Sequence, residues 1–223
     1  MQAGNMTYST ARDVPETVPV FPLSGALLLP GGQMPLNIFE PRYLEMIDAA
    51  LRGDRVIGMI QPKFSGDTGK PEKPNLCAVG CLGRIASFAE TGDGRYIVSL
   101  QGICRFRIAE ELNGRLPFRQ CRITPFVSDL DDGHEAECVD REELLRVFRA
   151  YLDANELEAD WDSVKRAGNE TLVNALCMMS PYGPAEKQAL LEAPDLKSRA
   201  ETLIALTEMA LARDKDDSGR MLQ

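Results

Sequence analysis

An α+β fold, β-rich in its N-terminal part and helical in its C-terminal part, is predicted by three observations. The apolar pattern is short, strand-like and broken by proline and glycine up to about residue 130, and helical in period beyond it. The charge changes at the same place: residues 1–130 carry 14 Lys and Arg against 13 Asp and Glu, whereas residues 131–223 carry 11 against 21. Between the two regimes lies Ser128-Asp-Leu-Asp-Asp-Gly-His-Glu-Ala-Glu137, which has turn formers and carboxylates but no hydrophobic period, and so predicts an exposed connection. A chain of 223 residues, 44% hydrophobic, has room for one large domain or two small ones with a real core.

Taken in order, Val18–Leu23 and Ala26–Phe39 hold apolar runs punctuated by Pro19, Pro22, Pro30 and Pro35, which exclude a helix interior and predict bent, edge-like strands. Pro41 suits a first helical position, and Tyr43, Leu44, Ile47 and Leu51 form an apolar stripe that ends before Gly53. Arg55–Ile60 and Cys77–Ala89 predict two further strands, with Gly80 and Gly83 marking a bulge or sharp coil in the second. The polar, proline- and glycine-rich stretch Gln61–Asn75 between them is expected to be a mobile loop. Thr91-Gly-Asp-Gly94 is a hairpin signal that folds Tyr96–Leu100 back on Ile85–Ala89. Ile103–Ile108 alternates apolar and basic residues with period two, and Phe118–Val127 repeats this loosely after a turn at Leu112–Arg115. Downstream, one helix is predicted over Asp140–Ala154. A second carries Leu172, Val173, Leu176, Cys177 and Met179 and ends before Pro181; a third spans Pro184–Glu192, and the last is capped by Asp195. The divisions are a flexible N-terminus over 1–17, a β-rich subdomain over 18–130, an acidic linker over 131–139, a helical subdomain over 140–213 and a frayed C-terminus over 214–223.

Several function classes fall away. A formal charge of −9 and a pI near 4.8 argue against a general polyanion binder, which needs clustered Lys and Arg. The longest apolar runs, such as Ala26–Leu29, fall far short of the ~20 residues that cross a bilayer. Met1–Pro15 is polar, without the basic and apolar regions of a secretory signal. The six cysteines are too sparse for a disulfide scaffold and are expected to be reduced thiols in a cytoplasmic protein. The one histidine, His134, stands among solvated carboxylates, where a nucleophile's base has no third group to orient it. Cys77 and Cys81, on one face of a strand, are about 13 Å apart at ~3.3 Å per residue, too far to share a metal without a tight turn. Counted from Asp129, a calcium loop would need glycine and glutamate where His134 and Asp140 stand. Arg84, Arg95, Arg105, Arg107, Arg119 and Arg122 could make a basic face for nucleic acid, against the plainer expectation of a polar outer face on a half-buried sheet. No catalytic residue, metal or cofactor is predicted. The remaining candidates are Phe39, Arg42 and Tyr43 at the strand-to-helix corner and Phe64 in the loop, residue types favoured where proteins bind one another. The alternative is that Phe39 and Tyr43 are core residues and Arg42 a structural ion-pair partner.

The stretch Val20-Phe-Pro-Leu-Ser-Gly-Ala-Leu-Leu-Leu-Pro-Gly-Gly-Gln-Met-Pro-Leu-Asn-Ile-Phe-Glu-Pro-Arg-Tyr43 resembles the opening of the N-terminal domain of the ATP-dependent Lon protease. Gly80–Ile85, Asp93–Ile97, Leu100–Phe106 and Lys187–Glu192 extend the resemblance, in the family's order, over roughly residues 18–210. It implies a PUA-like, six-stranded β pseudo-barrel with one helix, followed by an α-helical bundle. The family's ATPase loop is missing: around Gly69-Lys70, Phe64 replaces the first glycine and Pro71 the magnesium-binding hydroxyl. The Pro-Ser-Ala-Gly context of its Ser-Lys dyad is absent too, so the chain looks like a stand-alone LON domain. The resemblance implies a non-catalytic module that binds unfolded or tagged polypeptides or another protein, with a Lon-type protease among the partners. The alternatives are a PUA-like sensor of a small molecule or RNA, and a residual peptidase-associated activity.

Overall fold

The computed structural model describes residues 1–63, 69–70, 73–131 and 139–220, with the backbone alone at 69–70 and 214–220. The N-terminal part contains β1 (Gln2–Ala3), β2 (Met6–Thr7), β3 (Thr17–Pro22), β4 (Gln33–Ile38), α1 (Pro41–Arg52), β5 (Val56–Ile60), β6 (Gly69–Lys70), β7 (Lys73–Pro74), β8 (Val79–Glu90), β9 (Tyr96–Leu112) and β10 (Arg119–Pro125). The C-terminal part contains α2 (Arg141–Ala154), α3 (Trp161–Arg166), α4 (Asn169–Met179), α5 (Pro184–Glu192) and α6 (Leu196–Arg220). No helix among the described residues is long and apolar enough to cross a membrane.

Six strands make one sheet in the order β10-β3-β5-β8-β9-β4, and β10 also pairs with β9. That extra pairing rolls the sheet into a pseudo-barrel, as expected from the resemblance. β9 makes it possible: its first residues, Tyr96–Gln101, carry β4, and its last, Phe106–Leu112, carry β10, while β8 runs along most of its length. Register shifts at Cys81/Gly83 and Ile85/Ser87 of β8 and at Arg122/Ile123 of β10 let the strands bend enough to close. β3 and β5 are parallel, so the chain between them must cross over, and β4 with α1 form that crossover. The hairpin signal at Thr91–Gly94 does as predicted: Gly92 and Gly94 take φ of 80° and 85°, and Ile85 pairs with Leu100, Ala89 with Ile97.

The expected strands Tyr96–Leu100 and Ile103–Ile108 are one strand in the structure, continuous through Gly102. A Cβ at Gly102 would lie 2.0 Å from the Leu29 carbonyl oxygen. Here the segment before β4 presses against the sheet, with Gly31 N–H donating to Gly102 O at 3.0 Å and Gly102 N–H to Gly32 O at 2.8 Å.

The first seventeen residues are not the flexible tail expected. Ala3, Tyr8 and Val14 are buried and join Val18, Val20, Leu82, Ile103, Cys104, Phe106, Cys121 and Ile123 in one apolar cluster. Arg84 ties this segment down, donating to the Tyr8 hydroxyl, Asn5 Oδ1 and Asp54 O. β5 is buried on both faces, sending Val56 and Ile60 into this cluster and Ile57 and Met59 into a second. The second cluster is continuous from the sheet, α1 and the segment before β4 (Leu36, Leu100, Met46, Leu28) into the helices (Leu144, Val173, Leu176, Leu190, Leu203).

Asp195 caps the last helix as predicted, and Asp140, expected as the first residue of its helix, caps α2 instead. Asp140 accepts from Glu143 N–H at 3.0 Å, and Asp195 from Ser198 N–H at 2.7 Å. α3 was not expected: it is one short turn and a half, capped by Asp160, with too few apolar residues to show a period. α6 is helical through Arg220, past the fraying expected from 214. The bundle is held on the barrel by polar side chains aimed at main-chain carbonyls. Asn174 Nδ2 donates to Pro30 O at 3.1 Å, Lys187 Nζ to Gly25 O at 3.0 Å, Gln188 Nε2 to Val79 O at 3.1 Å and Gln61 Nε2 to Pro184 O at 3.0 Å. Arg105, reaching from β9, donates to the carbonyls of Leu191, Ala193 and Pro194 in the α5–α6 turn.

Candidate functional site

Because Pro30–Pro35 is pinned to β9 on one side and to Asn174 on the other, a groove remains where this segment faces α4. Its volume is about 670 Å³. Ala26, Leu27, Pro30, Met34 and Pro35 form one wall, Ala175, Met178 and Met179 the other. Met178 lies over Gly32, where a Cβ would come within 2.4 Å of its sulfur. Met179 was expected on the buried stripe of its helix, but α4 ends there and leaves it 72% exposed. Unbranched thioether side chains adapt to ligands of different shape. Of the groove's members, Met179 was read in the sequence as a core residue and Pro30 and Pro35 as strand punctuation, and none as part of a binding surface.

The four residues singled out in the sequence do not form one surface. Phe39 is 63% exposed, just beyond the end of β4. From the pairing of Asn37 with Ile97, Phe39 continues the outer face on which Ile97, 51% exposed, also lies. Tyr43 is a core residue: its ring sits 4.3 Å from that of Phe21, and burial pushes its hydroxyl pKa up. Arg42 is exposed, stacks 4.6 Å over the Tyr43 ring and pairs with Glu40 at 2.8 Å. Arg42 and Tyr43 line a small depression of about 130 Å³ with Pro22, Pro62, Phe118 and Arg119. Phe64 lies outside the described residues.

Residues 17–208 match the family described as the ATP-dependent protease La (LON) substrate-binding domain. The chain belongs to that family. It is 27% identical over 204 residues to Lon protease 2 of Myxococcus xanthus, covering 87% of this chain and 24% of that protein. It is 31% identical over 195 residues to the Lon protease of Parabacteroides distasonis, covering 86% and 24%. The chain thus spans about a quarter of the length of these relatives. Among solved structures, the N-terminal domain of a Mycobacterium avium complex Lon protease superposes with a TM-score of 0.65 at 20% identity, covering 86% of this chain and 98% of that one. The Lon N-terminal domain protein of Xanthomonas campestris gives 0.60 at 21%, covering 85% and 97%.

In this LON substrate-binding domain the arginines weighed as a basic face are divided between buried structural roles and a polar outer face with neighbouring carboxylates. Arg84 and Arg105 are buried, Arg105 in a bidentate pair with Asp129 at 2.7 and 2.8 Å. Arg95 pairs with Asp93, Arg119 with Glu111 and Arg122 with Glu110, while Arg107 stands 5.8 Å over the Phe126 ring. Alternation along a strand cannot tell an outward arginine from one that crosses to a second subdomain.

The five described cysteines, Cys77, Cys81, Cys104, Cys121 and Cys177, are buried free thiols, and Cys138 lies outside the described residues, as does His134. Burial pushes Cys104 and Cys177 up to about 12 and Cys121 to about 11. Little thiolate forms in the folded state. Iodoacetamide at mildly alkaline pH is therefore expected to leave these five unmodified in the native protein and to alkylate them after denaturation, as read by peptide mass mapping. The folded state keeps protons that unfolded thiols release near their ordinary 9.0. The contribution is thus fully present below pH 9 and lost as pH rises toward 12, so alkaline titration should lower the melting temperature through that window.

Proposed function

We propose that this chain is a non-catalytic polypeptide-recognition module, serving proteolysis by holding non-native protein segments, with a Lon-type ATPase-protease as the partner that consumes them. The observation that carries the reading is the methionine-edged groove between Ala26–Pro35 and α4, concave, mainly apolar and open. An unfolded chain exposes the apolar side chains that such a groove can take from water, at about 25 cal/mol per Å² buried. Adaptable methionines accept many sequences instead of selecting one. The family's description as a substrate-binding domain points the same way. Phe39 and Arg42 are proposed as a second, lesser contact at the far end of β4, where an extended segment leaving the groove would pass.

The test is fluorescence anisotropy with a labelled, permanently unfolded carboxymethylated protein, and with its native form as the control. The unfolded form is expected to bind and the native form not. Met34→Lys keeps the side chain's length but places a charge in the groove, and should weaken binding about tenfold, the scale of one interface anchor. Phe39→Ser should weaken it by a smaller factor. Undiminished binding by a normally folded Met34→Lys protein overturns the assignment of the groove.

A further inference from the structure

A second groove lies on the opposite flank of α4. It has a volume of about 610 Å³ and is bounded by α2, α3 and α4, with Phe148, Leu152, Leu157, Val164, Leu172 and Leu176 among its lining residues. Leu157 and Met179, both of which line it, are 53% and 72% exposed. The turn that presents Leu157 is built at some cost. Glu156 holds φ of 53°, a left-handed conformation that a side chain disfavours, and Leu157 N–H closes the turn onto Leu152 O at 2.9 Å.

The chain at this turn carries one sign of charge. Asp153, Glu156, Glu158, Asp160 and Asp162 fall within ten residues that contain no Lys or Arg. The carboxylates of Asp153, Glu156 and Glu158 have no cationic partner among the described residues. The neighbouring cations gather at the far end of this stretch, where Arg149 stacks 4.4 Å over Trp161, Lys165 Nζ pairs with Asp162 at 3.9 Å and Arg166 Nε donates to the Asp162 carbonyl at 3.2 Å, so the uncompensated carboxylates are those of 153–158. No strand of the sheet borders the groove, so an occupant finds no edge with which to pair its backbone and must satisfy its own N–H and C=O groups.

The geometry points to a docking site for a basic amphipathic helix of a partner protein, its apolar stripe seated between α2, α3 and α4 and its Lys or Arg residues facing the carboxylates of Asp153, Glu156 and Glu158. The size suits a short run of apolar anchors at i, i+3 or i+4 and i+7. Charge complementarity contributes approach rate and orientation, and the apolar floor contributes most of the affinity. This site is separate from the groove proposed for non-native chains, with Thr171, Ala175 and Met179 of α4 forming the ridge that borders both.

The probe is a two-heptad amphipathic Leu/Lys peptide, with a Leu/Glu peptide of the same pattern as control, measured by anisotropy at low and high salt. The Leu/Lys peptide is expected to bind, more weakly as salt rises, and the Leu/Glu peptide not. Leu157→Ser with Glu158→Gln, both at exposed positions, should weaken Leu/Lys binding about tenfold. The same variant should leave binding of the unfolded carboxymethylated protein unchanged. Met34→Lys should do the reverse, so the two sites fail separately. Equal binding of the two peptides, no binding of the Leu/Lys peptide, or loss of that peptide through Met34→Lys alone overturns the proposal.

Discussion

Arg105→Leu is expected to cost this domain about 4 kcal/mol, within the 3–5 kcal/mol typical of breaking a buried ion pair. The side chains of Arg105 and Asp129 are 3% and 8% exposed. Removing the guanidinium leaves the Asp129 carboxylate with only the Arg105 backbone N–H of the bonds now satisfying it. It also orphans the carbonyls of Leu191, Ala193 and Pro194, which a leucine cannot serve. Domains of this size have about 5–15 kcal/mol in hand, so the loss is a large share of the whole. Adding Asp129→Leu should recover only part of it, because the carboxylate is gone but the three carbonyls remain unsatisfied. Urea unfolding of the single and double variants measures both quantities. A loss under about 1 kcal/mol for Arg105→Leu would show that the pair does not carry the barrel–bundle junction.

Gly102→Ala is the second large effect. The added methyl would meet the Leu29 carbonyl oxygen at 2.0 Å and its carbon at 2.9 Å, and these are backbone atoms that cannot turn aside as a side chain could. Either β9 or the Leu29–Gly32 segment must move, and the two hydrogen bonds joining Gly102 to Gly31 and Gly32 are strained or lost. Overpacking costs about 1–3 kcal/mol where side chains can adjust, and a value near 3 kcal/mol is expected here. The same movement shifts Pro30, Gly31 and Gly32, which line the groove next to α4, so affinity for unfolded protein should fall together with stability. A variant with unchanged melting temperature and unchanged affinity would refute the close approach.

What the sequence made legible was local. Pro41 and Gly53 bracket α1 as expected, Gly92 and Gly94 turn the hairpin, and Pro184 opens α5, because each acts within a few residues of itself. What escaped depends on distant partners. Arg105 looks like any outward residue of an alternating strand until the α5–α6 turn is brought over it. Tyr8 and Val14 belong to a polar stretch with no period of its own, yet they close the end of a core supplied by other strands. Of the corner residues, Phe39 and Arg42 are on the surface and Tyr43 is in the core, since its ring packs back on Phe21. The groove is not written in any one segment: one wall runs from before β4 into its first residues, the other comes from the helical part, and its width is set by how the two are docked.

That docking has a feature with evolutionary weight. Arg105, Asn174, Lys187, Gln188 and Gln61 all cross the junction to grip carbonyl oxygens, at Ala193, Pro30, Gly25, Val79 and Pro184 among others. A carbonyl is supplied by every amino acid, so the receiving half of each bond survives any substitution that leaves the backbone path intact. Only the five donors are constrained in kind. Mutational drift in the 25–30 segment can therefore vary the chemistry beside the groove, and drift in the α5–α6 turn the surface there, while the angle between barrel and bundle stays fixed.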